Sequence, residues 1–230
     1  MKLIKGIEIE GLFGMEGSLS WELRTGVNVL SGGNGCGKST LLHSVGELLT
    51  HGLLSPPLGS LSRTVKILFE DSTTLSSTTP FDPTPYASGV ITNFLEPITQ
   101  PHISQQSPNY DLFCNIVDSL FLHSGKKIVR QGGEELFFEL QWMDIRLPLS
   151  VLSSGERQII HLLECAAMSH QGDMMILDEP EISLHFDWQK RVLEDILSLS
   201  PSLQILLATH SPAIIIDGWV DRVIQFRTQE

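Results

Sequence analysis

Apolar residues follow two rhythms along this chain, and the change between them outlines its organisation. Near the start they alternate or sit in short runs: Leu3-Ile4, Ile7 and Ile9 lead up to Gly11, a second stretch covers Leu19 to Leu23, and Val27 to Leu30 forms a third. Alternation and β-branched content predict strands here. A glycine-rich turn then gives way to a helix from about Ser39 to Leu49. Further on, Leu112, Phe113, Ile116, Val117, Leu120 and Phe121 recur at helical spacing, as do Ile159, Leu162, Leu163, Ala166 and Ala167 in a helix from Glu156. Between these helices, Lys127 to Arg130 and Glu135 to Leu140 flank Gln131-Gly132-Gly133-Glu134, a hairpin pattern. Met174 to Leu177 is apolar throughout, as a strand covered on both faces requires. A helix through Trp188, Val192, Ile196 and Leu199, a strand Leu203 to Ala208, a short helix near Pro212 and a strand Val223 to Phe226 complete the pattern.

Strands alternating with helices after the glycine turn predict an α/β fold: a mixed sheet flanked by helices, with an antiparallel β portion at the N-terminus. With 230 residues the chain has room for one globular domain, 1–230, and not for two. Residues 50–109 break the rhythm. Pro56-Pro57, Pro80, Pro83, Pro85, Pro97, Pro101 and Pro108 are interleaved with runs such as Ser76-Ser77-Thr78-Thr79, and only Val65 to Phe69 reads as a strand. Proline denies this stretch long helices, so it is expected to be a partly ordered Pro/Ser/Thr-rich insertion, either a lid or a mobile surface loop. The helix and hairpin that follow occupy 110–141.

Composition narrows the function classes. The net charge of −12 argues against unaided binding to nucleic acid, whose affinity comes from neutralising phosphates. The short basic clusters Lys126-Lys127 and Lys190-Arg191 read as solvated faces, so any nucleic acid is expected to be reached through a complex. Cys36, Cys114 and Cys165 are scattered and odd in number, which fits a reducing compartment better than a disulfide framework. No apolar run approaches the ~18 residues of a membrane span. A cytoplasmic protein without a membrane segment is therefore expected.

The segment Gly32-Gly33-Asn34-Gly35-Cys36-Gly37-Lys38-Ser39-Thr40 fits G-x-x-x-x-G-K-[ST] in full, between a strand and a helix as that pattern demands. Its glycines let backbone N–H groups curl around phosphates at a helix N-terminus. Lys38 then faces the β- and γ-phosphates, the Ser39 hydroxyl ligates Mg²⁺, and Thr40 supports the α-phosphate. The strand Met174 to Leu177 ends in Asp178-Glu179, which delivers one carboxylate to the Mg²⁺ shell and a second to the attacking water. In Leu152-Ser153-Ser154-Gly155-Glu156 either Ser153 or Ser154 is expected to cap the helix that follows, and the same N–H and hydroxyl groups could hold a second phosphate. His210, just after the strand ending at Ala208, is either a structural histidine or a sensor of the γ-phosphate. Phe13 is either a core residue or a stacking surface for adenine.

Taken in order, the phosphate loop Gly32 to Thr40 (Walker A), the signature Leu152 to Glu156, the Asp178-Glu179-Pro180 end of Walker B and the histidine His210 resemble the motif set of ABC ATPases. The stretch Asp178 to His185, with Trp188-Gln189 and Ala208-Thr209-His210-Ser211-Pro212, is similar to a narrower branch. That branch holds the bacterial AAA-type ATPases related to the OLD family and to the Septu and PARIS anti-phage systems, with SMC and RecF proteins more distant. The resemblance covers roughly 1–50 and 110–226. It implies a head-to-tail homodimer, or an assembly of dimers, in which Ser153, Ser154, Gly155 and Glu156 of one copy close over ATP-Mg²⁺ held by the other. It also implies an ATP-driven switch acting on a separate effector protein, such as a nuclease, in anti-phage defence or DNA maintenance. An ABC transporter's ATPase subunit is the alternative, and a slowly hydrolysing ATP-binding scaffold a third reading. Transporter domains carry DEPT and an aspartate at the end of the following loop, where this chain has Glu181 and His185. Nor does a glutamine loop follow Val65 to Phe69, where Glu70-Asp71-Ser72 stands.

Overall fold

In the computed structural model, residues 2–14, 16–93, 103–130, 136–216 and 218–226 are described. The chain forms strands β1 (Ile4–Glu10), β2 (Ser18–Glu22) and β3 (Val27–Ser31), then helices α1 (Lys38–His51) and α2 (Leu58–Leu61). Strands β4 (Thr64–Phe69) and β5 (Thr74–Ser76), helix α3 (Thr84–Ala87), strand β6 (Val90–Thr92) and helix α4 (Tyr110–Leu120) come next. They are followed by β7 (Lys126–Ile128), β8 (Phe137–Leu140), β9 (Met143–Pro148), α5 (Ser154–Met168) and β10 (Met174–Asp178). Helices α6 (Phe186–Gln189) and α7 (Val192–Leu199), strand β11 (Gln204–Ala208), α8 (Pro212–Ile216) and β12 (Val223–Gln225) end the order. Packing divides the chain into two compact units, 1–94 with 170–179 and 202–230, and 95–169 with 180–201.

The first unit contains two sheets. One is antiparallel, in the order β2-β1-β4-β5, and β1 carries a register shift between Ile4 and Gly6. That shift explains why Ile4 and Ile7, three positions apart, are both buried while Ile7 and Ile9 alternate normally. The other sheet is parallel, β12-β3-β11-β10-β6. Asp178 lies level with Ala208, and Ala208 with Leu30, so three strands end along one edge. In open α/β sheets this carboxyl edge is where ligands bind. Leu41, Leu42, Val45, Leu48 and Leu49 of α1 are fully buried in the core with Ile67, Ile176 and Leu206. Gly37 and Gly52, both at positive φ, bound the helix at either end.

Within the stretch 50–109 the expected strand is β4, and with β5 it completes the antiparallel sheet, while β6 pairs with β10 in the parallel one. Val65, Ile67 and Phe69 of β4 are buried at every second position, and that burial outweighs the polar composition around them. The helices there are only four residues long, each entered from a proline, Pro57 or Pro83. Pro97, Pro101 and Gln100 lie outside the described residues.

The second unit packs α4, α5 and α7 together beside the antiparallel sheet β7-β8-β9. Phe121 anchors it, with ring centroids 5.7 Å from Phe138 and 5.6 Å from Trp188, whose indole N–H donates to the Leu120 carbonyl. The expected hairpin is β7 and β8, while its turn at 131–134 lies outside the described residues. The third strand, β9, follows Gln141-Trp142, a turn without the glycine that would have announced it in the sequence.

Candidate functional site

The phosphate loop leaves β3 at Ser31 and enters α1 at Lys38. Gly35 (φ 76°) and Gly37 (φ 106°) adopt the left-handed backbone that other residues resist, and a Cβ on Gly37 would lie 2.5 Å from Leu12 Cδ2. A Cβ on Gly32 would lie 2.7 Å from the Phe226 carbonyl, so backbone closely approaches backbone there. No side chain caps α1, which leaves its first N–H groups available to an anion. Lys38 is only 4% exposed, and its ammonium donates to the Gly32 and Gly33 carbonyls at 3.0 Å each. Cys36 Sγ lies 3.9 Å from the same ammonium. A cavity of about 400 Å³ opens over the loop, lined by Asn34, Lys38, Ser39, Thr40, Glu179 and His210, with Phe13 at its side. Phe13 is thus no core residue: it is 43% exposed and held at φ 55°.

The carboxylates arrive from β10. Ser39 Oγ donates to Asp178 Oδ1 at 3.0 Å, so the two expected Mg²⁺ ligands already share one position. Mg²⁺ typically takes one or two protein oxygens and completes its shell with phosphate and water, so this pair fits it. Among the described residues no group of three or more His, Cys, Asp or Glu side chains is placed to hold a metal. Glu179 turns sharply at φ 45°, a left-handed geometry that costs a non-glycine residue roughly 1–3 kcal/mol. Its Oε1 lies 3.3 Å from His210 Nε2, and its N–H donates to the Ala208 carbonyl at 2.9 Å. The parallel register of β10 and β11 therefore brings Glu179 and His210 together. Two neighbours escaped the motif reading. His43 Nε2 stands 3.3 Å from Asp178 Oδ2, and Asn93 bonds to the Asp178 backbone. His43 was legible, since it lies four residues after Ser39 on the same helical face. Asn93, in a Pro/Ser/Thr-rich stretch, gave no signal.

The signature residues lie in the second unit, at the start of α5. Ser153 Oγ accepts from the Glu156 N–H at 3.2 Å, and Glu156 Oε2 accepts from the Ser153 N–H at 2.9 Å, a reciprocal capping box. Lys126 Nζ binds the other Glu156 oxygen at 2.6 Å. Burial alone would raise the Glu156 carboxyl, but these donors outweigh it and hold the group below its ordinary value. Gly155 is needed for packing, since a Cβ there would lie 2.2 Å from the Ser183 carbonyl. Ser154 remains exposed. Ser183 (φ 82°), Leu184 and His185 form the next loop, which Gln158 ties down by donating to the Pro180 carbonyl at 2.8 Å. No helix among the described residues is long and apolar enough to cross a membrane.

Comparison with known proteins agrees with this architecture. A family model described as "AAA domain, putative AbiEii toxin, Type IV TA system" matches residues 94–217, over half of the chain. The phosphate import ATP-binding protein PstB of Pyrococcus furiosus is 24% identical over 196 residues, covering 82% of this chain and 71% of PstB. "Retron Vc95 probable ATPase" of Vibrio cholerae is 24% identical over 94 residues, 40% of this chain and 18% of that protein. Among solved structures, an SMC head bound to the C-terminal winged-helix domain of ScpA shares the fold with a TM-score of 0.60 at 13% identity, covering 93% of this chain and 91% of its own. The SMC head domain of Thermotoga maritima does so at 0.55 and 14% identity, covering 94% and 92%. The chain belongs to the AAA-domain family that this model describes, and its fold is the one shared by ABC-type ATP-binding proteins and SMC heads.

Proposed function

We propose that the chain binds ATP-Mg²⁺ in the cavity over the phosphate loop and hydrolyses it when a second copy docks head to tail. The observation that carries this reading is the pairing of Ser39 with Asp178 and of Glu179 with His210 around one loop. Loop N–H groups from Gly32 to Thr40 and the Lys38 ammonium cradle the phosphates, and the exposed Phe13 ring offers a stacking surface for the base. Ser39 and Asp178 would hold Mg²⁺, which when bound would neutralise phosphate charge. Glu179 orients the water and takes its proton, while His210 holds the terminal phosphate.

Ser154 and the N–H groups of the first turn of α5 from the second copy complete the site. The Glu156 carboxylate holds the cap of its own helix and the Lys126 ammonium, and so fixes the turn that presents Ser154. Closure with ATP and opening after hydrolysis give two states, and a separate cytoplasmic effector reads the difference between them. The family description, which names a toxin–antitoxin system, and the likeness to a retron ATPase support a defence role over transport. The transporter-subunit reading draws on the longer match to PstB. Co-purification separates the two: a soluble effector supports the first, an integral membrane subunit the second.

A further inference from the structure

Asp178 is secured by a residue that no motif contains. The β6–β10 ladder ends where Thr92 lies level with Ile176, and Asn93 follows. Its N–H donates to the Ile176 carbonyl at 3.3 Å, which carries the chain one step further along β10. Its side chain then reaches the next backbone groups. Asn93 Oδ1 accepts from the Asp178 N–H at 2.8 Å, and Asn93 Nδ2 donates to the Asp178 carbonyl at 3.1 Å. A planar amide carries donor and acceptor side by side, so it satisfies both backbone groups of one residue, as a neighbouring strand would. Leucine offers neither bond, and aspartate offers only the acceptor.

The location gives these bonds their consequence. The residue after Asp178 is Glu179, whose positive φ persists only where its surroundings over-determine the backbone. Asn93 fixes the residue before the turn, and the Ala208 carbonyl takes the Glu179 N–H on the other side. With both held, the Asp178 carboxylate meets Ser39 Oγ and the Glu179 carboxylate meets His210. We infer that Asn93 is a positioning residue, whose amide clamps the Asp178 backbone so that both carboxylates face the nucleotide. This inference rests on the roles proposed for Asp178 and Glu179. Asn93 makes neither of its side-chain bonds to the phosphate loop, so its removal should impair turnover and cation use while leaving nucleotide binding intact.

The test uses the full chain with Asn93→Leu, which keeps the branched shape without the polar atoms, and Asn93→Asp, which keeps the acceptor alone. Three quantities are read: ATP turnover against Mg²⁺ concentration, binding of a fluorescent ATP analogue in EDTA, and the thermal midpoint. Groups that orient metal ligands typically account for about 10- to 100-fold in activity or metal affinity. Asn93→Leu should therefore lower kcat and raise the Mg²⁺ requirement by about tenfold or more, with Asn93→Asp in between and analogue binding within about twofold of the parent. Wild-type turnover and Mg²⁺ response in Asn93→Leu would overturn the inference. So would a loss of analogue binding in step with turnover, which marks a general structural role. If Asn93→Leu does not fold, Asn93→Asp carries the same test against the same outcomes. Asp178→Ala and Glu179→Gln run alongside: wild-type turnover in both would remove the underlying reading, which is distinguishable from failure of Asn93 alone.

Discussion

The phosphate loop of the first unit and the start of α5 in the second are both glycine- and serine-bearing segments that open a helix, yet their polar groups are used differently. At the loop, Lys38, Ser39, Glu179 and His210 all line one cavity, and the α1 N-terminus has no side-chain cap. At α5, Ser153 and Glu156 are bound to each other and Lys126 is bound to Glu156, while Ser154 is exposed. The side chains of the first region converge on one cavity, whereas those at α5 are engaged in the cap of their own helix. Two segments matching equally familiar motifs thus differ in what their side chains bond to, and the hydrogen bonds, not the motif letters, make the difference.

The largest expected effect tests the cavity side. Glu179→Gln should lower kcat by about 10²–10⁴-fold while ATP binding persists, and the trapped complex should scatter light as a dimer. A monomer in ATP with wild-type turnover would contradict the role given to Glu179. Lys38→Ala removes a buried ammonium and should weaken ATP binding by about 100-fold in a fluorescence titration, as expected for a charge-assisted bond. Ser154→Arg, on the α5 side, should leave ATP affinity unchanged and abolish ATP-dependent dimerisation in sedimentation.

Ser153→Ala sharpens the contrast between adjacent serines. Loss of the N-cap should cost about 1 kcal/mol, seen as a fall of about 2–4 °C in the thermal midpoint, with nucleotide affinity untouched. The smallest effect is on pH dependence. The folded chain holds the Glu156 carboxyl below its ordinary value, so its contribution to stability is complete above the unfolded value near about 4.3 and is lost as the pH falls through the lower folded one. Denaturation profiles of Glu156→Gln should therefore lose part of the parent's acid sensitivity below that pH and converge in shape with it nearer neutrality.

Much of the fold could be read from spacing. The β3-loop-α1 unit, the apolar β10 and the stripe of α5 have single-period patterns, and burial follows them closely. Within 50–109 only β4 was legible: β6 has only three residues, and its place beside β10 is a long-range pairing that no local signal encodes. The same distance conceals Asn93, and β4, the strand after which a glutamine loop is expected, belongs to the antiparallel sheet and not to the one that carries Asp178. Nor does motif order reveal that Lys126, 30 positions before Glu156, binds its carboxylate.

The central claim is that a triphosphate cradled by one copy is completed by α5 of another, and mixing variants tests it directly. Lys38→Ala has a broken loop with an intact α5 surface, and Ser154→Arg has the reverse, so each alone should be inactive. Only a mixed dimer contains an intact composite site, one per dimer, so mixing should restore turnover, to no more than about half of the parent's. A mixture no more active than its separate components would contradict the claim.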